Sequence, residues 1–183
     1  MKSILMSIKP EWTAKILNGE KTVEIRKTAP KEWVDYLNGK TKDKPEPMIV
    51  DIYCTKGDYI GRISKKYVGK VVARFTLNEV EEIICRPIWG EWESYTKTLG
   101  YSEISKASCL GNGEIVRYLK GNKGYAWHIS DLGIYSEPKE LNEFYSTRLD
   151  KDVTELFDNS MQLSNGKWVK RLDKAPQSWC YVE

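Results

Sequence analysis

The segment from residue 19 to residue 26 decides how this chain is interpreted, and it reads Gly19-Glu20-Lys21-Thr22-Val23-Glu24-Ile25-Arg26. Apolar and charged side chains alternate within it, because Val23 and Ile25 are apolar whereas Glu24 and Arg26 are charged. Successive side chains of a β-strand point to opposite faces. The alternation therefore predicts a strand over 21–27 with one apolar face and one charged face.

The residues before this segment predict a strand and a short helix. Residues 4–8 are almost entirely apolar, which is typical of a largely buried strand. Pro10 suits the first position of a helix, and Asn18-Gly19 is a typical C-terminal stop. The start of the chain is therefore interpreted as strand, helix and strand, with the charged segment on the second strand.

The rest of the chain predicts more strands around a helical part. Clustered apolar and β-branched residues predict one helix and four strands, over 31–37 and over 48–55, 70–77, 125–135 and 178–182. In 87–121, the spacing of Trp89, Trp92 and Tyr95 and the pattern of 114–119 favour helices. Together these elements predict a single α+β domain over 1–183. We expect a small barrel or strongly curved sheet with a helical insertion at about 87–121.

Composition excludes several classes of protein. The 183 residues carry 29 Lys and Arg against 26 Asp and Glu, a net charge of +3, which argues against a polybasic binder. One histidine excludes a multi-histidine metal site, and four scattered cysteines without a Cys-x-x-Cys pair disfavour zinc and redox motifs. We expect no metal, no cofactor and reduced thiols in a cytoplasmic protein. No apolar run approaches the roughly 20 residues of a membrane-spanning helix, so no membrane contact is expected.

Charge is distributed unevenly along the chain. Residues 1–70 carry a net charge of +6, residues 71–160 carry −5 and residues 161–183 carry +2. One interpretation is a solvated surface of fluctuating composition. The other is a basic face, made by the first strands and the C-terminal segment, opposite an acidic helical insertion.

The 19–26 segment fits the Gly-x-Lys-x-x-Glu-x-Arg pattern, and the chain thereby resembles the ASCH family, a branch of the PUA-like folds. The stretch at 68–75 resembles the Gly-Lys-Val strand of the family, and those at 124–129, 138–141 and 176–182 resemble the longer ASCH proteins of prophages and Gram-positive bacteria. The resemblance implies a PUA-like β pseudo-barrel flanked by short helices, in a bacterial or prophage protein. It also implies a cleft beside the first helix that holds RNA or a modified nucleoside or nucleotide.

The residues that match the polar lining of that cleft are Lys21, Glu24 and Arg26. An arginine donates bidentately and a glutamate accepts from an exocyclic amine, so such a set suits a base and its phosphate. Alternation places Lys21 on the other face unless it precedes the regular strand. The alternative is a structural ion pair between Glu24 and Arg26 or a neighbouring strand.

Three further residues are candidate ligand contacts. Lys9 follows the first strand, and His128 lies in a predicted strand where it faces either the cleft or solvent. A hydrogen-bonded structural role is the alternative for His128. Trp168 stands among lysines and an arginine, which suits stacking on a base next to phosphate contacts, or else it covers the core as a rim residue. The aromatic, acidic segment 87–121 is the candidate surface for a protein partner.

The resemblance also raises the question of catalysis. Some small bacterial ASCH proteins are amidohydrolases that act on acetylcytidine, in which a lysine activates a threonine nucleophile with help from a distant glutamate. Lys21, Thr22 and Arg26 match that pattern here, but Glu24 occupies the position of the nucleophile. Candidate catalytic residues are therefore Lys21, Thr22 and Glu24, and the distant glutamate is one of Glu79, Glu81 and Glu82. Whether the chain is an enzyme stays open at this point.

Overall fold

The computed structural model describes residues 3–57, 63–88, 91–147, 160–163 and 168–183. The chain forms two compact units, each assembled from separate stretches of sequence. The first unit comprises Met1–Leu17, Met48–Thr76 and Leu132–Glu183, and the second comprises Asn18–Pro47 and Leu77–Asp131.

In the part of the chain that the structure describes, the first unit has an eight-stranded sheet and one α-helix. Its elements are β1 (Ser3–Ile8), α1 (Pro10–Leu17), β3 (Met48–Cys54), β4 (Val71–Leu77), β8 (Ser130–Lys139), β9 (Tyr145–Ser146), β10 (Ser160–Gln162), β11 (Trp168–Arg171) and β12 (Trp179–Val182). The strand order is β10-β11-β9-β12-β1-β3-β4-β8. β1 lies in the middle, parallel to β3 and antiparallel to β12. Because its apolar residues Ile4, Leu5 and Met6 are fully buried, β1 forms the centre of this unit.

The second unit has a four-stranded sheet covered by two helices. Its elements are β2 (Val23–Arg26), α2 (Lys31–Leu37), β5 (Val80–Ile88), β6 (Glu91–Tyr95), α3 (Tyr101–Ser108), α4 (Asn112–Leu119) and β7 (Gly124–His128). The strand order is β2-β7-β5-β6, so β2 is an edge strand. Val23 and Ile25 of β2 pack with Ile104 of α3 and Ile115 of α4 in one buried cluster. The apolar face predicted for 21–27 is therefore the core face of this sheet.

Two glutamates cap the N-termini of the helices that cover this sheet. Glu103 accepts a hydrogen bond from the backbone N–H of Gly100 at 2.7 Å, and Glu114 accepts one from Gly111 at 2.7 Å. Each carboxylate satisfies an amide at a helix N-terminus, where negative charge is also favoured by the helix dipole. Asn112, the first residue of α4, accepts from the backbone N–H and hydroxyl of Ser94 at 2.8 and 2.7 Å. These contacts attach α4 to β6.

The predicted mixture of strands and helices is confirmed, but the helix predicted around Trp92 and Tyr95 is wrong. Residues 91–95 form strand β6, which pairs with β5, a strand that the sequence analysis did not identify. The physical reason is pairing with β5, in which Ser94 lies opposite Cys85 and Tyr95 opposite Ile84, since such pairing outweighs a local spacing that also fits a helix. Trp89 lies outside the described residues. Helices do form at 101–108 and 112–119.

A second difference concerns the strand predicted over 125–135. It is divided into β7 and β8, and Asp131 near the division adopts a left-handed backbone conformation with a φ of 48°. All four cysteines are free thiols, as expected. None of the helices that the structure describes is long and apolar enough to cross a membrane.

Candidate functional site

The position of Lys21 follows from where β2 begins. Lys21 and Thr22 precede the strand, and backbone hydrogen bonds hold Thr22 on both sides. The Thr22 N–H donates to the carbonyl of Ala107 at 2.8 Å, and its carbonyl accepts from Ile129 at 2.9 Å. The Lys21 ammonium reaches the end of α3 and donates to the Ser108 carbonyl at 2.7 Å. Because Lys21 lies outside the regular strand, alternation does not place it opposite Glu24.

Lys21, Glu24 and Arg26 converge, and we call them the charged cluster. Lys21 Nζ lies 3.2 Å from Glu24 Oε2, and Arg26 Nε lies 3.1 Å from Glu24 Oε1. The second contact is an ion pair whose angles fall outside those of a hydrogen bond. The side chains are 1% exposed for Lys21, 10% for Glu24 and 8% for Arg26. One carboxylate is thus held between two cations in a largely buried place.

Thr22 stands outside the charged cluster. Its side chain is exposed, whereas Lys21 and Glu24 are buried. The lysine that would activate a nucleophile therefore contacts the carboxylate at the matching position. A carboxylate cannot take the part of a hydroxyl in an ester intermediate without a different chemistry.

His128 pairs with Glu81 on the other face of the sheet. Val23 lies opposite His128 in the β2–β7 register, so His128 shares the face of Val23, and Glu24 points away from it. Glu81 lies opposite Ala126, which makes it a diagonal neighbour of His128. His128 Nε2 lies 3.0 Å from Glu81 Oε2. The structure therefore brings His128 to Glu81 and not to the charged cluster.

Glu81 is buried and well hydrogen-bonded. Its carboxylate accepts from the Thr98 backbone N–H at 3.0 Å, the Thr98 hydroxyl at 2.8 Å and the Thr96 hydroxyl at 3.1 Å. Burial raises the pKa of Glu81, but the hydrogen bonds from Thr98, His128 and Thr96 outweigh burial, so the pKa lies below its usual value. The other candidates for the distant glutamate form ion pairs nearer the surface, Glu79 with Lys44 and Glu82 with Lys123.

The two remaining sequence candidates lie in the first unit. Lys9 is exposed between β1 and α1, and its carbonyl accepts hydrogen bonds from Thr13. Trp168 begins β11 opposite Gln162 and is 39% exposed. Both side chains are available to solvent. Lys167, which the sequence analysis grouped with Trp168, lies outside the described residues.

Sequence reasoning missed a buried polar group in the first unit. Asp51 is 2% exposed and accepts hydrogen bonds from the Tyr135 hydroxyl and from Arg74. Burial, followed by the Asp51 carboxylate, raises the pKa of Tyr135 far above its usual value. The signal was present, because Asp51 interrupts an otherwise apolar strand. Among the described residues, no group of three or more His, Cys, Asp or Glu is placed to hold a metal ion.

Comparison with known proteins bears on the fold. No family model and no curated protein matches the chain. Two crystal structures of single-substitution variants of the ASCH protein from Zymomonas mobilis do match. One has a TM-score of 0.54 at 16% identity and covers 100% of this chain and 89% of that chain. The other has a TM-score of 0.52 at 16% identity and covers 100% and 91%. The chain thus has an ASCH-like fold, and the expected α+β class is confirmed.

Proposed function

We propose that this chain is a binding module for RNA or a nucleotide, with the charged cluster as its binding site. One observation carries the proposal: each oxygen of the Glu24 carboxylate lies against a cation, Lys21 at 3.2 Å and Arg26 at 3.1 Å. A glutamate beside an arginine suits a nucleotide, because the carboxylate accepts from an exocyclic amine and the guanidinium binds phosphate. The ASCH-like fold is compatible with this role.

The three residues have different parts in the proposed site. Lys21 is a positioning residue, because its side chain is 1% exposed and its ammonium is engaged by Ser108 and Glu24. Glu24 and Arg26 retain 10% and 8% exposure, so a ligand reaches these two. Their geometry is fixed before the ligand arrives, which lowers the entropic cost of binding.

Arg26 provides the first test. We would measure the binding of fluorescein-labelled single-stranded RNA and tRNA at low salt by anisotropy. Arg26→Gln should weaken binding about tenfold, the loss expected when a charge-assisted contact is removed. Lys27→Gln is the matched control, because Lys27 is the adjacent residue, carries the same charge and is exposed over the Tyr118 ring at 5.0 Å. It should change the affinity less than about threefold, as surface charges do.

Glu24 provides the second test, which concerns base preference. Glu24→Gln replaces an acceptor with a group that also donates, so any preference for cytosine over uracil in homopolymers should fall. Thermal melting of each variant separates loss of binding from loss of fold. The proposal is wrong if the wild-type protein binds none of these RNAs at low salt. It is also wrong if folded Arg26→Gln and Lys27→Gln proteins bind equally well.

A further inference from the structure

The first unit contains an open cleft of about 600 Å³. Part of its lining is apolar, since Tyr53, Leu141, Leu172 and Ala175 belong both to the cleft and to the buried core cluster of this unit or the side chains packed against it. A volume of this size lies within the roughly 300–1,000 Å³ that is usual for small-molecule sites. The cleft therefore offers an apolar floor that suits the flat or apolar part of a ligand.

Cations surround this floor. Lys56, Arg171 and Lys174 line the cleft, and all three are exposed. Two carboxylates, Glu140 and Asp173, line it as well. Glu140 forms an ion pair with Lys70, so Lys70 offsets one of the two negative charges. Positive charge prevails, and its sources are the basic stretches 1–70 and 161–183.

Two of the cations are held in place by their neighbours. The aliphatic stem of Lys56 packs over Gly69, where a Cβ atom would come within 3.0 Å of Lys56 Cε. Arg171 donates from Nη2 to the Tyr145 hydroxyl at 2.9 Å, and its guanidinium lies 5.5 Å from the centre of the Tyr145 ring. Lys56 and Arg171 are therefore already partly ordered, so binding of a ligand costs less of their side-chain entropy.

We propose that this basic cleft binds an organic phosphate, with the phosphate on Lys56, Arg171 and Lys174 and the apolar part of the ligand on the floor. A mononucleotide has both features, whether it is free or part of a nucleic acid. The cleft is composed of first-unit residues alone, so this inference is independent of the charged cluster, which lies in the second unit.

Isothermal titration calorimetry with the full chain tests the basic cleft. The probes are uridine 5′-monophosphate, uridine and inorganic phosphate at low salt. We expect uridine 5′-monophosphate to bind more tightly than uridine or inorganic phosphate, and we expect added salt to weaken its binding. Lys56→Ala and Lys174→Ala should each weaken it about threefold and the double variant about tenfold. Asp173→Asn should strengthen it about threefold because it removes a repulsive charge.

Lys170→Ala is the matched control for these variants. Lys170 precedes Arg171 on β11, carries the same charge and does not line the cleft. The proposal is overturned if the monophosphate does not bind, if uridine or phosphate alone binds as tightly, or if Lys170→Ala weakens binding as much as Lys174→Ala. The titrations are repeated in the Arg26→Gln background, where the charged cluster lacks its phosphate contact, so that the remaining dependence on Lys56 and Lys174 belongs to the basic cleft. Failure at the basic cleft is thus distinguishable from failure at the charged cluster.

Discussion

Removal of the Glu81 carboxylate should destabilise the protein far more than removal of its neighbour Glu82. Glu81 is 6% exposed and accepts three hydrogen bonds from Thr96 and Thr98, besides its contact with His128. Glu81→Ala removes the acceptor of the buried Thr96 hydroxyl and of the Thr98 hydroxyl, whereas the Thr98 backbone N–H keeps the Thr96 hydroxyl as an acceptor at 3.3 Å. The loss of an acceptor costs about 1–3 kcal/mol for a buried donor, and less where water reaches the donor. We therefore expect a loss of about 2–3 kcal/mol in the free energy of unfolding.

Glu82→Ala is the matched control, because Glu82 lies on the same strand and forms a solvent-accessible ion pair with Lys123 at 3.3 Å. Its loss should cost at most about 1 kcal/mol. The assay is urea unfolding followed by tryptophan fluorescence at pH 7 and at lower pH. The folded-state pKa of Glu81 is lowered, so its contribution to stability is present above the usual glutamate pKa of 4.5 and is lost as the pH falls through the folded-state pKa. Equal losses for the two variants at pH 7, or a difference that grows on acidification, would refute the reasoning.

Three other outcomes are expected. Lys120→Gly should raise the free energy of unfolding by about 0.5 kcal/mol in thermal or urea melts, because Lys120 ends α4 at a φ of 57°, and Lys120→Ala should not. Asn112→Ala should lower it by about 2 kcal/mol, because Asn112 accepts two hydrogen bonds from Ser94, and a change below about 0.5 kcal/mol would contradict that role. Acetylcytidine should not be hydrolysed, since Glu24 replaces the nucleophile, and chromatography showing product above a Lys21→Ala control would contradict this.

Local patterns along the chain predicted much of the first unit. The almost entirely apolar run at 4–8, Pro10 and the Asn18-Gly19 stop located β1 and α1, because each signal lies within its own element or directly after it. Strand β6 was missed for the opposite reason. Trp92 and Tyr95 are three residues apart, which fits a helix. The segment nevertheless forms a strand because it pairs with the neighbouring strand β5, and that pairing is not visible in the spacing of its own residues.

The candidate site was predictable in part. The spacing of Glu24 and Arg26 places them on one face, and this needs no more than strand periodicity. The contact of Lys21 with Ser108 could not be predicted, because it joins residues 87 positions apart in sequence. The pairing of His128 with Glu81 likewise depends on the register between β5 and β7, which no local pattern specifies.

The way the chain is divided between its two compact units limits which experiments can locate a ligand. The backbone passes between the units after Leu17, Pro47, Thr76 and Asp131. Any single truncation therefore removes part of at least one unit, and a fragment over 18–131 would carry an incomplete piece of the other. Deletion mapping would then report misfolding as loss of binding. An excised second unit would require a designed junction from residue 47 to residue 77, whereas single substitutions keep both units whole.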